Sequence, residues 1–262
     1  MTRSINLVFL YISDFHVSNN LSYLKRDNTI VVLFTWDDRL NFNSTAKGQR
    51  VGIVSLAKQV DLVLNMTVSP LCRYVRNEIA VLNWNSLVDR LLPYCQKNIN
   101  LPPRNEETVL FFGNNYGYRE KIINYLVARN IPLQLYGEGW GSMFLPYDKL
   151  WEKIPQVSLN LGISSVGYTR TVFSLKGRDF EVPGAGGLYL VNRSAELLEI
   201  YQPNNDILSY KNLEECYSKC ADVLANPAAY ELIRLNGYQT ANRYNWPRRV
   251  EALKRFIYMN VL

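Results

Sequence analysis

Short apolar runs alternate with longer amphipathic stretches from one end of the chain to the other. In the first half, period-two or continuous apolar runs predict strands at Ile5–Ile12, Ile30–Thr35, Asp61–Leu64 and Ile79–Leu82, with helices at Ser18–Lys25, Gly48–Lys58 and Ser69–Arg76. The polar stretch 98–107, with its Pro102-Pro103 pair, interrupts this pattern and reads as a linker. The pattern then restarts. Strands are predicted at Thr108–Phe112, Pro132–Tyr136, Gln156–Leu161 and Leu188–Val191. Helices are predicted at Arg119–Arg129, Lys149–Glu152, Glu196–Ile200, Leu213–Asn226 and Pro227–Tyr244, and Phe180–Ala185 should open a helix or a tight turn. Trp246–Leu262 reads as a basic amphipathic helix with Val250, Leu253, Phe256 and Ile257 on one side. Such alternation predicts an α/β protein with largely parallel sheets, divided into residues 1–100, residues 101–245 and a last helix, 246–262, that packs back on the first half.

Composition narrows the class without naming a partner. Hydrophobic residues at 48% and charged residues at 20% suit a packed globular chain. No apolar run reaches the roughly 20 residues needed to span a bilayer, and the first residues show no cleavage pattern, so the expected location is cytoplasmic. Cys72, Cys95, Cys216 and Cys220 form no C-x-x-C pair and His16 is the sole histidine, so no structural zinc is expected and the thiols should be reduced and packed. A net charge of +6 favours a negatively charged partner: a nucleotide diphosphate, an anionic lipid surface contacted peripherally, or nucleic acid. Only charge and the basic last helix speak for nucleic acid, which is therefore the disfavoured reading.

Glycine placement points to the second half. Of 14 glycines only Gly48 and Gly52 precede residue 113, and glycine is the residue that lets a backbone approach a ligand closely. Phe111-Phe-Gly-Asn-Asn-Tyr-Gly-Tyr-Arg-Glu120 puts Gly113, Asn114 and Tyr118 in a loop between a strand and a helix, where Arg119 could add a cation beside a phosphate. An ordinary strand–helix turn is the competing reading. Tyr136-Gly-Glu-Gly-Trp-Gly141 follows the next strand, and its Gly137 and Trp140 either border a flat ligand or pack. In Ser174-Leu-Lys-Gly-Arg-Asp-Phe-Glu-Val-Pro-Gly-Ala-Gly-Gly187, Lys176 and Arg178 shortly precede Glu181, and Gly184, Gly186 and Gly187 follow. A diphosphate needs cations and backbone donors, and a ribose needs a carboxylate to accept from its hydroxyls. Both needs are met within this segment; the competing reading is a solvated turn with an Arg178–Glu181 surface ion pair.

Taken in order, F-F-G-N-N-Y, Y-G-x-G-W, Leu159-Asn160, L-K-G-R-D-F-E-V-P-G-A-G-G and a closing Tyr244–Arg249 stretch resemble the C-terminal half of the CgeB-like glycosyltransferases, over residues 107 to about 250. The resemblance implies a GT-B-like fold of two Rossmann-like domains, the second holding a nucleotide-sugar donor. It implies that Glu181 binds the ribose, that Lys176 and Arg178 face the diphosphate or the departing sugar, and that Gly113–Tyr118 lines the phosphates. Related retaining enzymes often carry a second glutamate eight residues before the ribose one, where this chain has Phe173. The stereochemical outcome therefore stays open.

Residues 1–97 resemble a GT-B first lobe more weakly, through Phe34-Thr-Trp-Asp-Asp38 and Val60–Asn65. A full lobe would open with another strand and glycine-rich turn, so the expectation is either a fragment or a naturally shortened form, with a partner chain as one way to complete the lobe. His16, just past the first strand, is a candidate general base or sugar-hydroxyl ligand, against the plainer reading of a surface or capping residue. Asp37 and Asp38 read as a solvated strand end or helix cap. The resulting expectation is a metal-independent glycosyltransferase with no cofactor beyond its donor, acting on a glycan, lipid-linked or small-molecule acceptor. The alternative is a non-catalytic nucleotide-sugar-binding module or partner subunit.

Overall fold

The computed structural model describes residues 6–11, 21–25, 29–35, 42–43, 45–46, 49–50, 52–65, 71–84, 101–141 and 144–260. The chain divides into two compact units, Met1–Asn85 with Arg249–Leu262, and Ser86–Arg248.

In the first unit β1 (Asn6–Tyr11), β2 (Thr29–Thr35), β5 (Leu62–Asn65) and β6 (Val81–Asn83) form a parallel sheet in the order β1-β2-β5-β6. Between β2 and β5 lie a short antiparallel pair, β3 (Thr45–Ala46) with β4 (Gln49–Arg50), and α1 (Ile53–Ala57); α2 (Leu71–Arg76) joins β5 to β6. Successive side chains on a strand point to opposite faces. Val31, Leu33 and Val63 accordingly pack on Val54, Leu56 and Tyr74, while Ile30, Val32, Leu62 and Leu64 pack on Trp84, Leu253 and Ile257. The last two residues belong to the final helix, Trp246–Asn260.

The second unit contains β7 (Glu106–Phe112), α3 (Arg119–Val127), β8 (Leu133–Tyr136), α4 (Tyr147–Lys153), β9 (Val157–Gly162), α5 (Arg178–Gly184), β10 (Tyr189–Asn192), α6 (Ala195–Leu198), β11 (Leu208–Tyr210), α7 (Leu213–Ala225) and α8 (Glu231–Asn242). Its strands are all parallel, in the order β11-β10-β9-β7-β8. Both faces are covered, which is why the strands read as continuous apolar runs rather than clean alternations. Phe112, Tyr189 and Val191 pack on Trp151, Phe180 and Tyr201. On the other face Phe111, Leu159, Leu161 and Leu190 pack on Ile122, Leu126, Val223 and the buried free thiols Cys216 and Cys220.

Four local readings are corrected. The predicted helix Gly48–Lys58 starts only at Ile53, because Gln49 and Arg50 are taken into the β3–β4 pair and Gly52 is extended at φ −74°, ψ 162°. Of Ser18–Lys25, the described part holds a single turn, Ser22–Leu24. The linker's last residues, Glu106 and Glu107, belong to β7, where Lys153 Nζ binds the Glu106 carboxylate at 2.6 Å and lets a charge begin a strand. β11 has no counterpart among the predicted elements. Its three residues are too short to show a period and gain their conformation from pairing with β10.

Candidate functional site

The order of the second sheet sets where a ligand can sit. β7 leads to β8 on one side, and the chain then crosses over to β9 on the other. In open parallel sheets the crevice outside the carboxyl ends at such a reversal is the usual binding place. Here that crevice lies between Phe112, the end of β7, and Gly162, the end of β9.

Arg178 spans it. The guanidinium donates from Nη1 to Phe112 O and from Nη2 to Ile163 O at 3.0 Å. Its carbon sits 5.1 Å from the Phe111 ring centre and 5.7 Å from that of Phe112. The side chain is only 7% exposed, and Nε has no partner among the described residues. Both hydrogen-bond partners are uncharged carbonyls, so among the described residues the positive charge is held at the crevice without a hydrogen-bonded carboxylate.

Gly113 lies directly against this group. Its φ of +137° is closed to L side chains, and an added Cβ would strike Arg178 Nη1. Gly137, φ +131°, meets it from the neighbouring loop, where a Cβ would stand 2.5 Å from Gly113 O. The two loops are laced together by Trp140 Nε1 to Gly113 O at 2.7 Å, Asn115 N to Glu138 O at 2.7 Å and Glu138 N to Asn114 Oδ1 at 3.2 Å. Trp140 also stacks edge-on to Phe111 at 5.8 Å, which decides in favour of a packing role. Arg119 is buried beneath the loop, bonded to Asn114 O at 2.7 Å and lying 4.0 Å over the Tyr116 ring. It shapes the loop from below. Tyr118, half-buried, precedes α3 and has Arg170 over its ring at 5.4 Å.

Glu181 stands in the first turns of α5. Its Oε1 accepts from Tyr147 Oη at 2.9 Å and would be 3.2 Å from a Cβ on Gly177, so the carboxylate folds back toward the helix start. Burial holds its carboxyl above the usual carboxylate range, against the Tyr147 hydroxyl and the Arg178 charge that favour ionisation. The Arg178–Glu181 surface ion pair does not form; Arg178 takes carbonyls and Glu181 takes Tyr147.

The residue that fixes this turn is Asp179, which the sequence reading passed over. Its carboxylate accepts from Lys176 N at 2.7 Å and Tyr189 Oη at 2.7 Å, and its carbonyl accepts from Tyr201 Oη at 2.8 Å. Burial raises its carboxyl despite these donors. An acid three residues after a turn residue is a local signal for such a bond, and the sequence carries it as Lys176-Gly-Arg-Asp179. Lys176 itself is half-buried.

The turn at Gly184–Gly187, expected to converge on one pocket with the turn at Gly113–Tyr118, does not reach it. Gly184 ends α5, and Gly186 and Gly187 lie between it and β10, at the amino ends of the strands, because a crossover helix runs antiparallel to the sheet it covers. Gly186 lies against Leu101, ahead of β7, and Gly187 against Ile154, ahead of β9, and the Asn160 side chain within it. His16 lies outside the described residues, as do Asp37, Asp38 and Cys95.

The sequence profile described as glycosyl transferase-like matches residues 118–255, just over half of the 262 residues. The chain belongs to this glycosyl transferase-like family. Arg178, Glu181 and Asp179 fall within the matched segment of the family, and the Gly113 loop just precedes it. Among curated proteins none matches the chain significantly by sequence. Solved structures share the fold of this family member at low identity. TarM is 9% identical, with a TM-score of 0.61 over 88% of this chain and 50% of its own. An alpha-glucosyltransferase solved with UDP and a 13-mer DNA is 11% identical, with a TM-score of 0.64 over 97% and 80%. The Anabaena protein HepE, solved with UDP, is 12% identical, with a TM-score of 0.56 over 88% and 72%. The chain thus spans about half the length of TarM. The likeness of fold agrees with the GT-B-like arrangement of two parallel-sheet units expected from the sequence.

Proposed function

We propose that the second unit is the donor-binding half of a nucleotide-sugar-dependent glycosyltransferase, of the CgeB-like kind that the sequence resembles. The observation that carries this is the buried, carbonyl-held Arg178 at the point where the strand order reverses, with Gly113 against it and Glu181 three residues along α5. In this reading the guanidinium and the amides of the 113–119 loop receive the donor diphosphate. They stabilise the charge that grows on the leaving nucleotide as the glycosidic bond breaks. Asn114 and Gly137 shape that loop, Tyr118 and Arg119 seat its helix, and Lys176 adds a second cation from the Asp179-anchored turn. Glu181 accepts from the ribose hydroxyls. Charge on the diphosphate is met by arginine, lysine and backbone donors, with no metal ion required; the acceptor is a glycan, a lipid-linked sugar or a small molecule. His16 is assigned the general-base role on the first unit, where His16→Ala should depress transfer and leave nucleotide affinity unchanged.

HepE and the alpha-glucosyltransferase were both solved with UDP, which supports starting with that nucleotide. A ligand bound only by the native state raises apparent stability. A thermal-shift series with UDP, GDP, dTDP and CMP and their sugars should therefore show a rise for at least one, followed by transfer to an acceptor panel. No rise with any of them would overturn the donor-site reading. Binding without transfer to any acceptor would favour the non-catalytic module.

A further inference from the structure

The second unit has another opening at the carboxyl ends of its strands, on the sheet face covered by α3 and α7. It is a cavity of about 530 Å³, within the size range of small-ligand pockets. Its walls are aromatic and aliphatic, including Tyr118, Phe173, Tyr210 and Ile122, and Arg170, Lys211 and Glu214 also line it. Tyr147, the partner of Glu181, packs with the cluster on the opposite face, so this is a separate space from the one beside Glu181. The two features touch through Ile163, which lines the cavity and gives its carbonyl to Arg178.

Asn192 is the informative residue. It is the last residue of β10, lines the cavity, and is only 7% exposed. Its Oδ1 accepts from Ser164 N at 2.6 Å, which fixes the amide orientation and leaves Nδ2 buried without a hydrogen-bond partner among the described residues. A buried amide donor left unpaired is costly, and native proteins keep few of them. An apolar ligand would leave this donor unsatisfied. A polyanion would bring its charge up to Glu214 beside the two cations. A pyranose has what the cavity offers to match: an apolar C–H face for the Tyr and Phe rings, and hydroxyls that accept from Nδ2.

We infer that this cavity seats a pyranose unit of the acceptor, so that the unit holding the donor also grips the acceptor sugar. The inference rests on the glycosyltransferase reading above. Asn192→Asp keeps the acceptor for Ser164 N and removes the Nδ2 donor, and Phe173→Ala removes a ring without touching Asn192.

The test uses the full chain, saturation-transfer NMR and calorimetry. The probes are methyl glucopyranoside, methyl galactopyranoside and methyl N-acetylglucosaminide, each with and without saturating UDP, UDP-glucose or UDP-N-acetylglucosamine. At least one glycoside should bind in the presence of the nucleotide sugar. Asn192→Asp should weaken it by about 3- to 10-fold, with UDP affinity unchanged. Should Asn192→Asp fail to fold, Phe173→Ala must show the loss. Glycoside binding abolished by saturating nucleotide sugar would mean the cavity holds the donor's own sugar and would overturn the inference. Glycoside affinity unmoved by either variant would do the same, as would UDP binding with no glycoside bound, which leaves the donor reading standing. An Asn192-dependent glycoside complex in a protein that binds none of the nucleotides would sink the donor reading while confirming the saccharide pocket.

Discussion

Arg178 and Arg234 are both buried in the second unit, at opposite ends of the same sheet, and they are used differently. Arg234 joins three segments that lead into strands. It donates to Gly186 O before β10, to Pro102 O before β7 at 2.7 Å and to Pro155 O before β9 at 3.2 Å, and it pairs with Glu231 at 3.2 Å. Its hydrogen-bonding capacity is spent inside the protein. Burial lowers its pKa while Glu231 offsets that in part. Arg178 makes two carbonyl bonds, leaves Nε unpaired among the described residues and has no bonded carboxylate there. The glycines sort in the same way: Gly186 and Gly187 allow tight packing at the closed end, and Gly113 and Gly137 allow two loops to meet at the open one. Burial of a charge therefore says little about function until its partners are counted. A saturated arginine reads as a clamp, and an undersaturated one at a strand-order reversal reads as a ligand site.

The sharpest test of that contrast is Arg234→Leu. Removing the buried cation strips three carbonyls of their donor and should cost about 3–5 kcal/mol of stability in chemical denaturation. The protein that remains folded should bind nucleotide as before, and a large loss of nucleotide affinity without destabilisation would erase the distinction between the two ends. Glu181→Ala should do the reverse. Loss of a charged hydrogen-bond partner costs about 1.5–3 kcal/mol, so nucleotide affinity should fall roughly 10- to 150-fold by calorimetry, with the unfolding midpoint little changed. Unaltered affinity would remove Glu181 from the ribose.

Gly113→Ala probes the contact between loop and guanidinium. The φ of +137° and the locked Arg178 leave the new methyl nowhere to go, so strain on the order of 1–3 kcal/mol should appear in stability, together with weaker nucleotide binding. Wild-type values for both would show that the loop shifts freely. The smallest effect expected is a pH dependence. Because burial raises the Glu181 carboxyl, nucleotide affinity should start to fall, on acidification, at a higher pH than an ordinary carboxylate would give, and Glu181→Gln should flatten that limb. The stability sign is opposite: the raised carboxyls of Glu181 and Asp179 bind protons more tightly folded than unfolded. Their contribution is fully present below the unfolded pKa and is lost as pH rises through the folded one.

Much of this was legible in the residues. Continuous apolar runs such as Val109–Phe112 and Leu188–Val191 are buried on both faces of a parallel sheet, and that burial is what writes them as unbroken runs. Lys176, Arg178 and Glu181 are legible as two cations and a carboxylate within six residues, the groups that a diphosphate and a ribose need. The helix start displaced by β4 and the unpredicted strand β11 concern two or three residues whose conformation comes from a neighbouring strand rather than from their own pattern. What sequence could not give was which end of the sheet each glycine occupies and which polar atoms are left over. Gly113 and Gly186 look alike along the chain, and only the antiparallel run of α5 against its sheet sends them to opposite ends. Asn192 is one asparagine among many until the fold spends its oxygen on Ser164 and buries its nitrogen. Local pattern fixes where strands and helices form because it acts over a few residues. Partner counts are settled by groups tens of residues apart, and those meet only in the folded protein.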